Sequence, residues 1–245
     1  MHLIGELDSP PISVGLPIYD LGTGMWAVQG ILAALCEREH TGLGRLVECS
    51  LLETVIGFSS WTSALWLADR EEPTRQGSRH RQNAPYQRMR TRDGYLMVGA
   101  AGQSIWVRCA EALGHPEWCG DPRFATNERR MQNRAALEAE MEAVLATATT
   151  DHWVAVLEAA GVPCGPVYNY QQMFNDAQVR HRGLVQYASD AELGEVPHIR
   201  TPVRIGEDIR VRTVAPKLGG HNAEIFGGLG VSEAEMRELR ARRVL

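Results

Sequence analysis

Between Gly15 and Leu35 the chain reads GLPIYDLGTGMWAVQGILAAL, an apolar stretch rich in β-branched residues that passes one acid, Asp20, and runs into a long helical pattern. Met25, Val28, Ile31, Leu32 and Leu35 recur at helical spacing, and Thr41-Gly42 supplies a stop, which predicts a helix over Leu21 to His40. A helix with that stripe has to pack on another apolar layer. Arg45 to Ser50 (RLVECS) reads as a short strand, and Leu51 to Ala68, carrying Leu52, Val55, Ile56, Trp61, Leu65 and Trp66, reads as a second helix. Alternation of strand and helix favours an α/β layer.

At 245 residues with 44% apolar side chains, the chain is long enough for one large domain or two smaller ones with a real core. A formal charge of −5 leaves no general basic face, which argues against nucleic acid and anionic membranes as partners. The five cysteines, Cys36, Cys49, Cys109, Cys119 and Cys164, are odd in number and far apart, as expected of reduced thiols in a cytoplasmic protein, and no CxxC pair suggests a metal site. The N-terminus MHLIGELDSPP has neither a basic nor an apolar leader segment, and no apolar run reaches the roughly 20 residues a membrane span needs. The chain is therefore expected to be neither exported nor membrane-spanning. It also begins with a Pro-Pro turn and no preceding strand, and so reads as a fold entered in the middle.

From Asp69 to Pro85 the sequence DREEPTRQGSRHRQNAP is almost without apolar residues and is read as a linker or functional loop. Tyr86 to Thr91 and Tyr95 to Ala100 then flank an Arg-Asp-Gly turn as a hairpin. Helices are expected at Gln103 to Leu113, about Asn133 to Thr147, Thr150 to Ala160 and Tyr170 to Asp176, followed by irregular strands through LVQYA and HIRTPVRI. Two last helices are expected near His221 to Leu229 and Ser232 to Arg242.

Asp20 has two readings on physical grounds. As a cap it would accept hydrogen bonds from the first-turn N–H groups at the positive end of the helix dipole. Against capping alone stand Gly22 and Gly24, each of which weakens the helix start by roughly 0.5 to 1 kcal/mol relative to alanine. They make sense where a ligand or another backbone must come close. A carboxylate kept ionised beside such an opening can attack a thioester or anhydride carbonyl.

The string PIYDLGTGMWAVQGILAALCEREHTGLGRLVECSLLE resembles the central signature of the class III coenzyme A transferases, a family that includes formyl-CoA and carnitine-CoA transferases and the α-methylacyl-CoA racemases. NAPYQRMRTRDGYLMVGA, WVRCAEALGHPEW with DPRFATNERRMQNR, AAGVPCGPVYN and APKLGGHNAEIF match in the family's order, so the resemblance covers nearly the whole chain. It implies an α/β fold: residues 1–70 as the end of a Rossmann-like large domain, 71–175 as linker and small α+β domain, and 176–245 as a return to the large domain. It also implies an interlocked homodimer at full length, with no metal and no tightly bound cofactor.

By the same resemblance Asp20 is the catalytic carboxylate, Gly22 and Gly24 border the substrate, and CoA thioesters and carboxylic acids are the substrates. In GSRHRQNAP, His80 is expected near the acyl group, and Arg79, Arg81 and Asn83 are candidates for a carboxylate or phosphate because Arg offers bidentate geometry. This segment lacks the poly-glycine run of some relatives, and a solvated polar loop is the plain alternative. GAAGQ at Gly99 to Gln103 is read as a strand end meeting a helix start, and His221 as a helix-start residue. In full-length relatives a segment ahead of this one supplies most CoA contacts. Two other readings therefore stand beside transfer: α-racemisation of a CoA thioester with Asp20 as acid/base, and a non-catalytic portion needing a partner chain.

Overall fold

The long helix forms as α1 (Ile18–Thr41) and ends at Gly42, whose left-handed backbone (φ 70°) lets its N–H reach the Arg38 carbonyl at 2.8 Å. This is the stop expected from Thr41-Gly42. In this computed structural model, which describes residues 1–206 and 210–245, α1 belongs to a unit spanning Met1–Val167, and a second unit spans Tyr168–Leu245.

Two expectations after α1 are corrected. Arg45 to Ser50 pairs with no strand among the described residues, and Leu46 is 83% exposed. A strand exists only through its neighbour's hydrogen bonds, and this segment has no neighbour to supply them. The expected helix over Leu51 to Ala68 is broken into α2 (Leu51–Phe58) and α3 (Ser60–Asp69). Ser59 sits at the break between Gly57 and Ser60, and its hydroxyl turns back to the Ile56 carbonyl at 2.9 Å, competing with helix continuation. Ser50 caps α2 by accepting from the Glu53 N–H.

The part of this unit beyond the loop is densely packed. Strands β1 (Tyr86–Arg90) and β2 (Tyr95–Gly99) pair antiparallel with Tyr86 opposite Gly99, and β3 (Cys164–Pro166) adds antiparallel to β2. Period-two alternation turns Gln87, Met89, Leu96 and Val98 inward. Helices α4 (Gln103–Ala112), α5 (Asn127–Gln132), α6 (Arg134–Leu145) and α7 (Thr150–Ala159) accompany this sheet, with a 3-10 turn at Pro116–Cys119. They close a core in which Trp106, Phe124, Met141, Leu145 and Leu157 are fully buried. Burial also pushes the Cys109 thiol up to about 12.

Helices α1 to α3 contrast with this core. They bury only Gly22 and Thr54, and Leu21, Met25, Val28 and Leu32 are each more than half exposed. The apolar layer that the α1 stripe calls for is not supplied within Met1–Val167. In the second unit, α8 (Tyr170–Asn175) and α9 (Ala177–His181) are capped by Asn169 and Asp176. The hairpin of β4 (Val185–Asp190) and β5 (Gly194–Ile199) and helices α10 (Asn222–Gly228) and α11 (Glu233–Ala241) follow. Every ladder among the described residues is antiparallel.

Candidate functional site

The start of α1 decides how Asp20 is used. Pro17 occupies the N-cap and makes no side-chain cap bond, so the helix begins at Ile18 and places Asp20 inside its first turn rather than ahead of it. Asp20 is not the cap. It is exposed, and no group among the described residues donates a hydrogen bond to its carboxylate. Its position still carries the field of the helix N-terminus, where unsatisfied N–H groups favour negative charge.

A groove of about 450 Å³ runs from Asp20 along α1, walled by Thr23, Gly24, Ala27 and Ile31 on one side and by Val47, Cys49 and Leu51 on the other. The two glycines differ in kind. A Cβ on Gly22 would lie 2.5 Å from the Phe58 ring and 3.1 Å from Thr54 Cγ2, so this glycine admits α2 against α1. Thr23 fastens the same crossing, its hydroxyl oxygen lying 2.7 Å from the Tyr19 carbonyl oxygen and 2.9 Å from Thr54 Oγ1. A Cβ on Gly24 would meet nothing within 4 Å, and Gly24 is the one that opens the groove beside Asp20.

The polar segment from Gly77 to Pro85 is tied to the packed part of its unit. Arg79 makes a two-pronged pair with Glu138 of α6, Nε to Oε1 at 2.6 Å and Nη2 to Oε2 at 2.5 Å, and the hydrogen-bonded carboxylate raises the guanidinium pKa above its usual value. Its fork is thus occupied within the chain. Arg81 donates to the Thr74 carbonyl. Asn83 Nδ2 lies 3.1 Å from His80 Nδ1, and Arg134 Nη2 holds the carbonyls of His80 and Asn83 at 2.7 and 3.1 Å. None of Arg79, His80, Arg81 or Asn83 lines the groove beside Asp20. GAAGQ joins the end of β2 to the start of α4, with Gly102 at the N-cap, and His221 precedes α10 without a side-chain cap bond.

The residues that hold this loop were not singled out from sequence. Asn127 accepts from the Ala84 N–H at 3.1 Å and donates to the Gln82 carbonyl at 2.9 Å, and Arg130 Nε donates to the Ala84 carbonyl at 2.6 Å. With Arg134 and Glu138 they form a polar stripe across α5 and α6. Their positions, 127, 130, 134 and 138, keep helical spacing and were a readable signal. Arg130 is fully buried, and its guanidinium carbon lies 5.0 Å from the centre of the Trp106 ring.

The family described as CoA-transferase family III matches residues 1–222. The chain belongs to this family. The succinyl-CoA:glutarate CoA-transferase of Mus musculus is 32% identical over 227 residues, 92% of this chain and 52% of that protein. An acetyl-CoA:oxalate CoA-transferase of Acetobacter aceti is 31% identical, covering 96% of this chain and 60% of that protein. Among solved structures, a CAIB/BAIF family protein from Brucella suis superimposes with a TM-score of 0.79 at 33% identity, over 94% of this chain and 60% of that one. The chain thus spans roughly half to three fifths of the length of these family members. Among the described residues no group of three or more His, Cys, Asp or Glu side chains could hold a metal ion, and no helix is long and apolar enough to cross a membrane.

Proposed function

We propose that this chain carries the nucleophile of a CoA-transferase that moves coenzyme A from an acyl-CoA thioester to a carboxylic acid, with Asp20 as that nucleophile. The observation that carries the reading is Asp20 itself: an exposed carboxylate with no hydrogen bond among the described residues, at the positive end of a helix, beside a groove that Gly24 keeps open. The names of family members that transfer CoA between acids support the reaction class.

In the proposed cycle Asp20 attacks the thioester carbonyl, giving an acyl-aspartyl anhydride and CoA thiolate. The thiolate attacks the aspartyl carbonyl, forming an aspartyl-CoA thioester and releasing the first acid. The incoming carboxylate attacks that thioester to form a second anhydride and free thiolate, and the thiolate takes the new acyl group and regenerates Asp20. CoA enters and leaves as substrate, so no bound cofactor is invoked. Each tetrahedral intermediate places negative charge near the first turn of α1, where backbone N–H groups are unsatisfied. The test is Asp20→Asn in a polypeptide extended to the length of its relatives, and folding intact with turnover abolished is the expected outcome. Turnover close to wild type in that variant refutes the assignment.

A second reading rests on the open apolar faces of α1 to α3 and on the shorter length of the chain. In it the chain acts only together with further polypeptide that covers those helices, in the interlocked dimer its family resemblance implies. Exposed apolar surface on this scale drives association. Sedimentation of the 245-residue chain is expected to show oligomers, and a stable monomer opposes this reading.

A further inference from the structure

Within the second unit, helices α8 and α9 and the hairpin of β4 and β5 border a cavity of about 690 Å³. The hairpin register sets its floor. Val185 pairs with Ile199 and Tyr187 with Pro197, so period-two alternation brings these four side chains to one face. Phe174 of α8 and Val179 of α9 add a second apolar wall. Arg200, which is buried, ties the hairpin to the turn after α9: its N–H donates to the Leu184 carbonyl at 3.0 Å and its Nη2 to the Arg182 carbonyl at 3.2 Å. The floor itself stays open, with Tyr187 61% and Ile199 72% exposed.

Arg180 of α9 brings a permanent cation to this wall. Asp176, one turn earlier, is at the spacing of a helical ion pair, but both of its oxygens are engaged elsewhere. Oδ1 accepts the N–H groups of Gln178 and Val179 at 2.8 and 3.1 Å as the cap of α9, and Oδ2 accepts the Tyr168 hydroxyl at 3.4 Å. Arg180 Nη2 donates instead to Asn175 Oδ1, another residue of the cavity wall. Its Nε and Nη1 meet no acceptor, and no carboxylate lies within ion-pair distance of it, among the described residues. No Asp or Glu lines the cavity. His198 stands opposite Gln186 on the other face of the ladder with its Nε2 closed off from solvent, so Arg180 is the charge that a ligand meets.

We propose that this cavity binds a monocarboxylic acid with an apolar body, its carboxylate on the Arg180 fork and its body over Val185, Tyr187, Pro197 and Ile199. Charge complementarity selects the head group, since a guanidinium without an acid partner matches the two oxygens of a carboxylate. The apolar floor selects the body, and a second charge on the ligand would lose its hydration there without a partner. Apolar walls with one placed charge, at a volume between about 300 and 1,000 Å³, are the usual make-up of a small-molecule site. The cavity shares no residue with the groove beside Asp20, and the proposal does not rest on the transferase reading.

The test is methyl NMR of the 245-residue chain titrated with octanoate, with octan-1-ol as the uncharged probe of equal length and glutarate as the dicarboxylate. Saturable octanoate shifts are expected at the methyls of Val179, Val185 and Ile199, with glutarate weaker than octanoate. Arg180→Gln, at an exposed position, should weaken octanoate about tenfold or more and leave octan-1-ol within about twofold. Ile199→Glu, also at an exposed position, should weaken both. Shifts confined to α1–α3, no saturable shift at the three named methyls, glutarate binding tighter than octanoate, or octanoate affinity unchanged in Arg180→Gln overturns the proposal.

Discussion

Gly22 and Gly24 lie two positions apart in one helix, and the structure predicts that the same substitution has different consequences at each. Replacing either with alanine gains the same helical propensity, about 0.8 to 1 kcal/mol, so that contribution cancels when the variants are compared. What remains is packing. At Gly22 the new methyl would stand 2.5 Å from two atoms of the Phe58 ring and 3.1 Å from the buried Thr54. Phe58, whose ring centre lies 6.5 Å from that of Trp26, must move, or α2 must withdraw from α1. Overpacking of this kind costs about 1 to 3 kcal/mol, while at Gly24 the methyl meets open space. Gly24→Ala should therefore hold α1 more firmly than Gly22→Ala by about 1 to 3 kcal/mol. Hydrogen exchange of α1 amides by mass spectrometry measures the difference directly. Equal protection in the two variants, or the reverse order, refutes the claim that Gly22 serves the helix crossing and Gly24 the groove.

Three further outcomes follow from the geometry. Glu138→Ala leaves Arg79 without its two-pronged partner, costing about 1 to 2 kcal/mol for this partly buried charged pair, and should speed proteolytic cutting between Gly77 and Pro85; an unchanged cutting rate opposes the clamp. Iodoacetamide near pH 8 should label the exposed Cys36 and Cys49 rapidly and Cys109 only after unfolding, because burial holds that thiol at about 12. The Asp93 carboxyl lies below its usual range, chiefly because it accepts from the Thr150 backbone N–H at 2.8 Å. Its folded pKa being the lower one, the contribution is present above about pH 4 and lost as pH falls through the folded value. Asp93→Asn should flatten that acid response of the turn between β1 and β2, as read by amide NMR.

Periodicity made α1 and its stop at Gly42 legible, because a helix face and a left-handed C-terminus are local properties of the chain. The hairpin of β1 and β2 and helices α4, α6 and α7 were legible for the same reason. Arg45 to Ser50 failed as a strand because pairing depends on a neighbour that composition cannot supply. β3 is a three-residue strand, too short to show alternation, and exists through its pairing to β2. α5 was missed because NERRMQ has no apolar stripe; its polar side chains face the loop they hold. Asp20 was visible as an acid at a helix start, yet whether it caps depended on Pro17 taking the N-cap. The pairing of Arg79 with Glu138 joins residues 59 apart in sequence and was beyond any local pattern.

The central claim is that Asp20 becomes acylated. In a polypeptide extended to the length of its relatives, incubation with succinyl-CoA and hydroxylamine followed by peptide mass spectrometry tests it most directly, since hydroxylamine captures an aspartyl thioester or anhydride as a stable hydroxamate. The account predicts the hydroxamate on the peptide containing Asp20, dependent on the CoA thioester and absent from Asp20→Asn. Turnover of CoA between acids with no modification at Asp20, or with the label on another carboxylate, contradicts it.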